Sequence, residues 1–501
     1  MIKYLILIIS ILFSSHCFAA NHYILEGGTG DGSAYNSALD DLPADELLVR
    51  GDTYYIGDGT YAGHTFDKAV SGTSVITIKK ATIADHGTET GWDNAYGDGQ
   101  AIINGIYVFS TAYYTLDGNS TSQYGFVFYP ASGTYGVIKL NSHCTVKSVK
   151  VDFFGYATTT PRGFYASAMS NILIQHVEVT GSINDGIVFS GVTDSTIDGA
   201  YLHDYFYQSS PHADGIEIQG GSNITIKNCT LDWRNTNYGT SGDTLQFGAV
   251  YASYGPIYVY NNVFRYGHPI HDNSGNSTFT LYFYGNTIIN SPVAVLLYSN
   301  CTADIQNNIF YNSSNFTWRN ATHDYNYYSG DSAQSEAHGQ YGLTIDKFTS
   351  PVTDVYSLIS ATPAGNSAIG ATYNTDINGV TRGADGVWDI GAYEYEGTVE
   401  SPRRVTVGML GQGAGSVVAD SGDITGGALT GLYADTTEIT LTATPTSPDI
   451  FKGWSGAGCS GTGTCTFTVN GDDVSVLAEF QHSYVKSKAI YDNDGFKIKV
   501  Q

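Results

Sequence analysis

The chain has 501 residues, a formal charge of −25, 59 glycines, 39 tyrosines and only 14% charged residues. That balance excludes nucleic acid and anionic membrane as electrostatic partners, because both need clustered lysine and arginine. An acidic polysaccharide is also repelled globally, so such a substrate requires a locally basic groove or bound cations.

Residues 1–20 carry Lys3, an apolar run from Tyr4 to Phe13, and Ala19 and Ala20. This reads as a secretory signal peptide, too short to span a bilayer. Cys17 does not mark a lipoprotein, since His16 stands where such a signal wants a small residue. No other stretch reads as a transmembrane segment, so the expectation is a protein secreted or held at the cell surface. In residues 21–49, Ala38, Leu39, Leu42, Leu47 and Leu48 form a weak helical pattern broken by Pro43. Stacked strands leave an open end, and this stretch is the natural N-terminal cap.

Strands separated by Gly and Asp turns follow at 51–61, 71–81 and 97–105. Between 172 and 310 one phrase then recurs: two alternating apolar positions, a small or amide residue, and a further apolar position. Ile174, Ile197, Ile226, Val259, Phe283 and Ile305 are its equivalent points, returning every 22 to 33 residues. A strand signal at that period means stacked coils, each burying its apolar face only against its neighbours. Asn228, Asn261 and Asn307, each followed or matched one place on by Asn262, Asn286 and Asn308, suggest an amide ladder along the axis. Each coil carries a second strand, as at 186–189, 215–218 and 244–247.

The opening strands, with Trp388-Asp-Ile-Gly-Ala-Tyr-Glu-Tyr395 near the far end, resemble secreted bacterial right-handed parallel β-helix proteins of the pectate-lyase-like superfamily. The resemblance spans about 22–395 and implies an all-β solenoid of about ten coils over 50–395. It implies no single chemistry, since that superfamily holds lyases, hydrolases, epimerases and non-catalytic members. Residues 396–404 read as a linker. From 405 to 480, short alternating strands and Gly-rich turns predict a small C-terminal β module. Gly453-Trp-Ser-Gly456 and Ala478-Glu-Phe480 resemble the divergent B-repeat modules of bacterial surface proteins, which serve as spacers or attachment units. Cys459 and Cys465 bracket a short loop and read as a disulfide in an exported chain. Cys144, Cys229 and Cys301 read as buried apolar residues. The tail, 481–501, carries no readable pattern.

Outward positions of the phrase stack into columns about 4.8 Å apart per rung. One column is Gln175, Asp198, Lys227, Tyr260, Tyr284, Gln306; another is Thr180, His203, Asp232, Arg265, Ile289. Long loops after the second bring His212, Arg234, His268 and His271 to one corner. β-Elimination from a uronic acid needs a cation on the carboxylate and a base for the neighbouring proton. The expected catalytic set is therefore His203, His212, Lys227, Asp232 and Arg265, with Arg265 or Lys227 neutralising and His203 or His212 as base. Tyr260, Tyr284, Arg234, His268 and His271 are the expected substrate contacts. Asp232 with Arg265 also reads as a plain ion pair across rungs, and Asp204, Asp214 and Asp232 leave room for a hydrolase pair.

Asp185, Asp214, Asp243 and Asp272 stand 29 residues apart. Stacked carboxylates suit a metal, Ca2+ being the one cofactor the sequence suggests, but Asp-Gly is also turn chemistry, and that structural reading is preferred. Asp272 lacks the following strand and is the doubtful member. Function is expected to be that of an exported carbohydrate-active protein, a lyase on an acidic polysaccharide. The competing class is a non-catalytic surface, adhesion or polysaccharide-binding protein, with a glycoside hydrolase as a lesser option.

Overall fold

The computed structural model describes residues 19–120, 123–130, 136–154, 162–182, 184–205, 213–234, 242–248, 253–275, 277–298, 300–330, 334–351, 355–396, 403–420, 424, 429–433, 437–470, 472–483, 488–492 and 495–499. The body of the signal peptide, His212 and most of the linker lie outside them. No helix among the described residues is long and apolar enough to cross a membrane. The chain divides into two units, one up to Tyr395 and one from Glu396.

The first unit is a parallel β-helix: a single 29-stranded sheet in which strands pair with those one coil away. Each complete coil lays down three short strands, giving the solenoid three faces. On the first face Ile174, Ile197, Ile226, Val259, Phe283 and Ile305 are paired one above another, all fully buried. That is the internal stack the repeat phrase predicts. On the second face Thr180, His203, Asp232, Arg265 and Ile289 are in register. The third face stacks Ile187–Ser190, Ile216–Ile218 and Leu245–Phe247. Alternation puts every second side chain into one apolar core that runs from Ile24 to Tyr328.

One residue turns the chain from the first face to the second. Ser148, His176, Gly199, Asn228, Asn261, Gly285, Asn307 and Tyr325 occupy this corner, with φ between 49° and 70°. Only left-handed backbone lets an outward residue be followed by an outward corner and then an inward residue, and Gly or Asn adopts it most cheaply. The next position carries the amide ladder. Asn262, Asn286, Asn308 and Asn326 are fully buried, and each Oδ1 accepts the backbone N–H of the rung before at 2.9 Å. Each Nδ2 donates to a first-face carbonyl, of Ile226, Val259, Phe283 or Ile305, at 3.0 Å. The ladder therefore excludes Asn228, Asn261 and Asn307, which sit one place earlier at the outward corner.

The stretch read as a cap opens with a strand, Asn21–Ile24, paired in parallel with Thr53–Ile56; two short 3-10 helices follow at Tyr35–Ser37 and Asp45–Leu47. The parallel strands end at Tyr327–Tyr328. The chain then returns along the solenoid as a largely irregular segment. Leu343, Phe348, Tyr356, Leu358 and Ile390 cover Ile289, Ile309 and Tyr327 on the second face.

The second unit pairs Arg403–Leu410 with Val474–Gln481 in a five-stranded sheet and packs it with a three-stranded one. Val405, Val407, Val417, Ile439, Leu441, Trp454, Phe467, Val476 and Phe480 form its core. Cys459 and Cys465 are bonded, and the Trp454 indole donates to Gly463 O inside the same loop at 2.7 Å. Cys144, Cys229 and Cys301 are free and buried. In the tail, Lys488–Asp492 and Gly495–Lys499 pair as a hairpin.

Candidate functional site

The residues singled out in the sequence fall into three places. Lys227, Tyr260 and Tyr284 are on the first face, in register with Asp198 and Gln306. His203, Asp232, Arg234 and Arg265 belong to the second face. Asp185, Asp214, Asp243, His268 and His271 gather where the second face leads into the third. His212 lies outside the described residues, so no base can be read there.

On the second face the charges are spent on one another. His203 Nδ1 lies 2.7 Å from Asp204 Oδ2 and its Nε2 lies 3.3 Å from Glu178 Oε1. Burial opposes the imidazolium, but these two carboxylates outweigh it and raise the His203 pKa. Glu178 is shared with Lys150 at 2.8 Å; burial works against its charge, yet His203 and Lys150 hold its pKa below the ordinary value. A histidine whose two nitrogens both donate to carboxylates has no lone pair for a proton. Asp232, almost fully buried, is gripped by Arg234 and lies 3.4 Å from Arg265 Nη1. Arg265 itself is buried, its guanidinium 5.9 Å from the Tyr356 ring centroid. The ion-pair reading of Asp232 and Arg265 is the geometry observed.

At the third-face corner, Asp185, Asp214 and Asp243 stack as expected: Gly186 N donates to Asp214 O and Gly215 N to Asp243 O, both at 2.8 Å. Asp272 leaves the column. It pairs with Phe247 at a core position, where it accepts from Ser274 N and Tyr298 N at 2.9 Å. The next place in the column is taken by His268, bridged to Asp243. Two metal-capable groups result, Asp185 with Asp214 and Glu217, and Asp243 with His268 and His271. Asp185 meets Arg162 Nε at 2.9 Å and accepts Asp214 N at 3.2 Å, which is the structural work expected of a turn aspartate.

The first face is different. Its outward column runs Asp117, Lys147, Gln175, Asp198, Lys227, Tyr260, Tyr284, so cations and anions alternate before giving way to tyrosines. Lys147 pairs with Asp117 at 2.9 Å and Lys227 with Asp198 at 3.5 Å. Beside this column lies an open cleft of about 810 Å3, lined by Asp117, Lys147, Gln175, His176, Asp198 and Asn228 among others, with Ile377 of the returning segment at its wall. His176 Nδ1 lies 3.2 Å from Ser148 Oγ, and its ring stacks on Tyr124 at 5.1 Å. Nε2 has no hydrogen-bond partner among the described residues. A left-handed backbone costs histidine, as it does Ser148 and Tyr325 on the same corner, more than it costs Asn228, Asn261, Asn307 or the two glycines. Beyond Lys227, Tyr258 and Tyr282 stack face to face at 5.2 Å. Tyr284 is buried, its hydroxyl donating to Asp304 at 2.6 Å, and Tyr260 and Tyr284 both meet the edge of Tyr373. The partly exposed pair Tyr258 and Tyr282 is thus the flat surface, one alternation step from the tyrosines expected. Sequence reasoning missed Lys147 and His176; extending the first column one rung back reaches Lys147, while nothing in the repeat phrase separates His176 from other corner residues.

Residues 137–332 match the right-handed β-helix region, and residues 416–483 match the divergent InlB B-repeat domain. No curated protein matches the chain. Among solved structures, similarity extends to a pectate lyase, Pel9A, at 13% identity over 76% of this chain and 97% of that one, with a TM-score of 0.47. A rhamnogalacturonan lyase gives 13% identity, 72% and 95% coverage and a TM-score of 0.44. XylC, in a complex with xylose, gives 10% identity, 74% and 98% coverage and a TM-score of 0.43. The first unit has the right-handed parallel β-helix fold, and the second is a B-repeat-like module.

Proposed function

We propose that the chain is an exported carbohydrate-active β-helix protein, a lyase on a uronic-acid polymer that lies along the corner cleft of the first face. The observation that carries this reading is that the corner already holds a length of polymer, the returning segment, in its far half. There Asn261 Nδ2 donates to Thr375 O at 2.7 Å and Asn307 Nδ2 to Asn366 O at 3.0 Å. In the near half the same corner column, with His176 and Asn228, stands open beside Lys147 and Lys227. Each lysine, exchanging its aspartate partner for a sugar carboxylate, neutralises a separate carboxylate along the polymer, in a protein whose net charge would otherwise repel it. His176 Nε2 takes the proton from the carbon beside a carboxylate, the freed electron pair forms a carbon–carbon double bond as the bond to the next sugar oxygen breaks, and water protonates the leaving oxygen. Tyr258 and Tyr282 offer a stacking surface for a sugar ring.

A second reading, non-catalytic polysaccharide binding with the C-terminal module as an attachment unit, is favoured by the pairing of His203, Asp232 and Arg265 within the protein. The mature chain should be incubated with alginate, pectate and glycosaminoglycans, with and without Ca2+, and followed by the ultraviolet absorbance of unsaturated uronate. A signal reduced by about 100-fold or more in His176→Ala and Lys147→Ala supports the lyase and this cleft. Retardation in a polysaccharide gel with no new absorbance points to the second reading, and reducing ends without absorbance to a hydrolase.

A further inference from the structure

A second chemical centre stands apart from the cleft, at the corner between the second and third faces. We propose that Asp243, His268 and His271 form a three-ligand site for a first-row divalent metal of the zinc type, not for Ca2+. Two imidazoles reach one carboxylate from different strand ends. His268 Nδ1 is 2.7 Å from Asp243 Oδ1 and His271 Nδ1 is 2.5 Å from Oδ2, and the three donor atoms all lie within 4.8 Å of one another. The rings are nearly perpendicular, at 85°, so their nitrogens converge without the rings colliding. The side chains are 7%, 13% and 23% exposed for Asp243, His268 and His271, shielded yet reachable by a small ion.

The backbone explains why they meet. Asp243 and His268 are bridged across one rung, and His271 opens the next third-face strand, opposite Gln246. Gln246 Nε2 donates to Asp243 Oδ2 at 2.6 Å, the kind of outer contact that fixes a ligating carboxylate. Asp185, Asp214 and Glu217, buried in the same corner, add negative potential that favours a cation there.

The donor set decides which cation. Ca2+ takes six to eight oxygens, whereas two imidazole nitrogens with one carboxylate suit Zn2+ and its neighbours. Three protein ligands leave a fourth position for water or a ligand, as in reactive rather than purely structural zinc sites. Tetrahedral ligation at about 2.0–2.2 Å places donors about 3.3–3.6 Å apart, so each imidazole nitrogen moves away from the carboxylate by roughly 0.6–1 Å, a shift within reach of side-chain rotation. The Ca2+ suggested by the aspartate spacing is thereby replaced, at Asp243, by a nitrogen-binding metal.

The test uses the untagged full chain stripped of metal. Titration calorimetry should show one Zn2+ per chain, unaffected by excess Ca2+ and weakened more than about tenfold in His271→Ala and about tenfold in Gln246→Leu. His482→Ala, in the second unit, serves as the control and should change nothing. Because a ligand variant could misfold, Co2+ is also added to the unmutated chain, where X-ray absorption should count two imidazoles. Absence of Zn2+ binding, displacement by Ca2+, a coordination shell without imidazole, or equal binding by folded His271→Ala would each overturn the site.

Discussion

The two halves of the first-to-second-face corner have the same backbone and opposite fates. From Ser148 to Asn228 the left-handed residues border an open cleft. From Asn261 to Asn307 the returning segment fills the same corner. Arg382 reaches Asn261 Oδ1 at 3.0 Å and Gly391 O at 2.8 Å, Gly391 N donates to Asn307 O, and Ala392 N to Thr287 Oγ1 at 2.9 Å. A repeat builds equivalent places, and a single non-repeating segment decides which of them remain available. At Gly285 even a methyl group would come within 3.4 Å of Arg382 and Gly391, so the small corner residue there belongs to the filled state.

Three substitutions separate the halves. The largest effect is expected from Arg382→Ala. Arg382 and Glu394 are each 1% exposed and 3.5 Å apart, and removing one partner of a buried pair costs about 3–5 kcal/mol. Denaturant unfolding should show that loss, and hydrogen exchange should rise at Gly391 and Ala392. A loss below about 1 kcal/mol would mean that the segment is held by its apolar contacts alone.

Next comes Asn286→Ala. Its side chain donates to Val259 O and Asn308 and accepts both the backbone and side-chain N–H of Asn262. Leaving those buried groups unpaired should cost about 2–4 kcal/mol. Asn228→Gly, at the open half, keeps the left-handed corner but loses one partly buried bond to Asp198 and should cost less than about 1 kcal/mol. Equal effects would erase the distinction between inward ladder and outward corner.

The smallest effect is a pH dependence on the second face. Since the folded pKa of His203 is raised, its stabilisation is fully present below the ordinary value of 6.5 and is lost as pH rises through the folded value. His203→Gln should therefore be less stable than the parent on the acid side, with the difference closing at alkaline pH. Thermal unfolding across that range measures it, and a gap that widened with pH would refute the assignment of His203 as an imidazolium.

What the sequence determined by itself is local and periodic. Alternation at Ile174, Ile197, Ile226 and Val259 dictates an inward stack because a strand has a period of two, and the recurrence dictates coils because no single rung can bury that face alone. The columns, the disulfide and the change of pattern after Val405 are legible for the same reason. Only the tertiary structure decided which outward residues face solvent. Tyr284 and Arg265 occupy positions as outward as Lys227, yet Asp304 and Tyr373 close over one and Asp232 and Tyr356 over the other. Asp272 keeps the spacing of its column but enters the core, because Phe247 is its partner across the rung. His271 then reaches Asp243 from an adjacent strand end. Such contacts depend on long loops and on a returning segment with no period, and a pattern that repeats carries no information about a segment that does not.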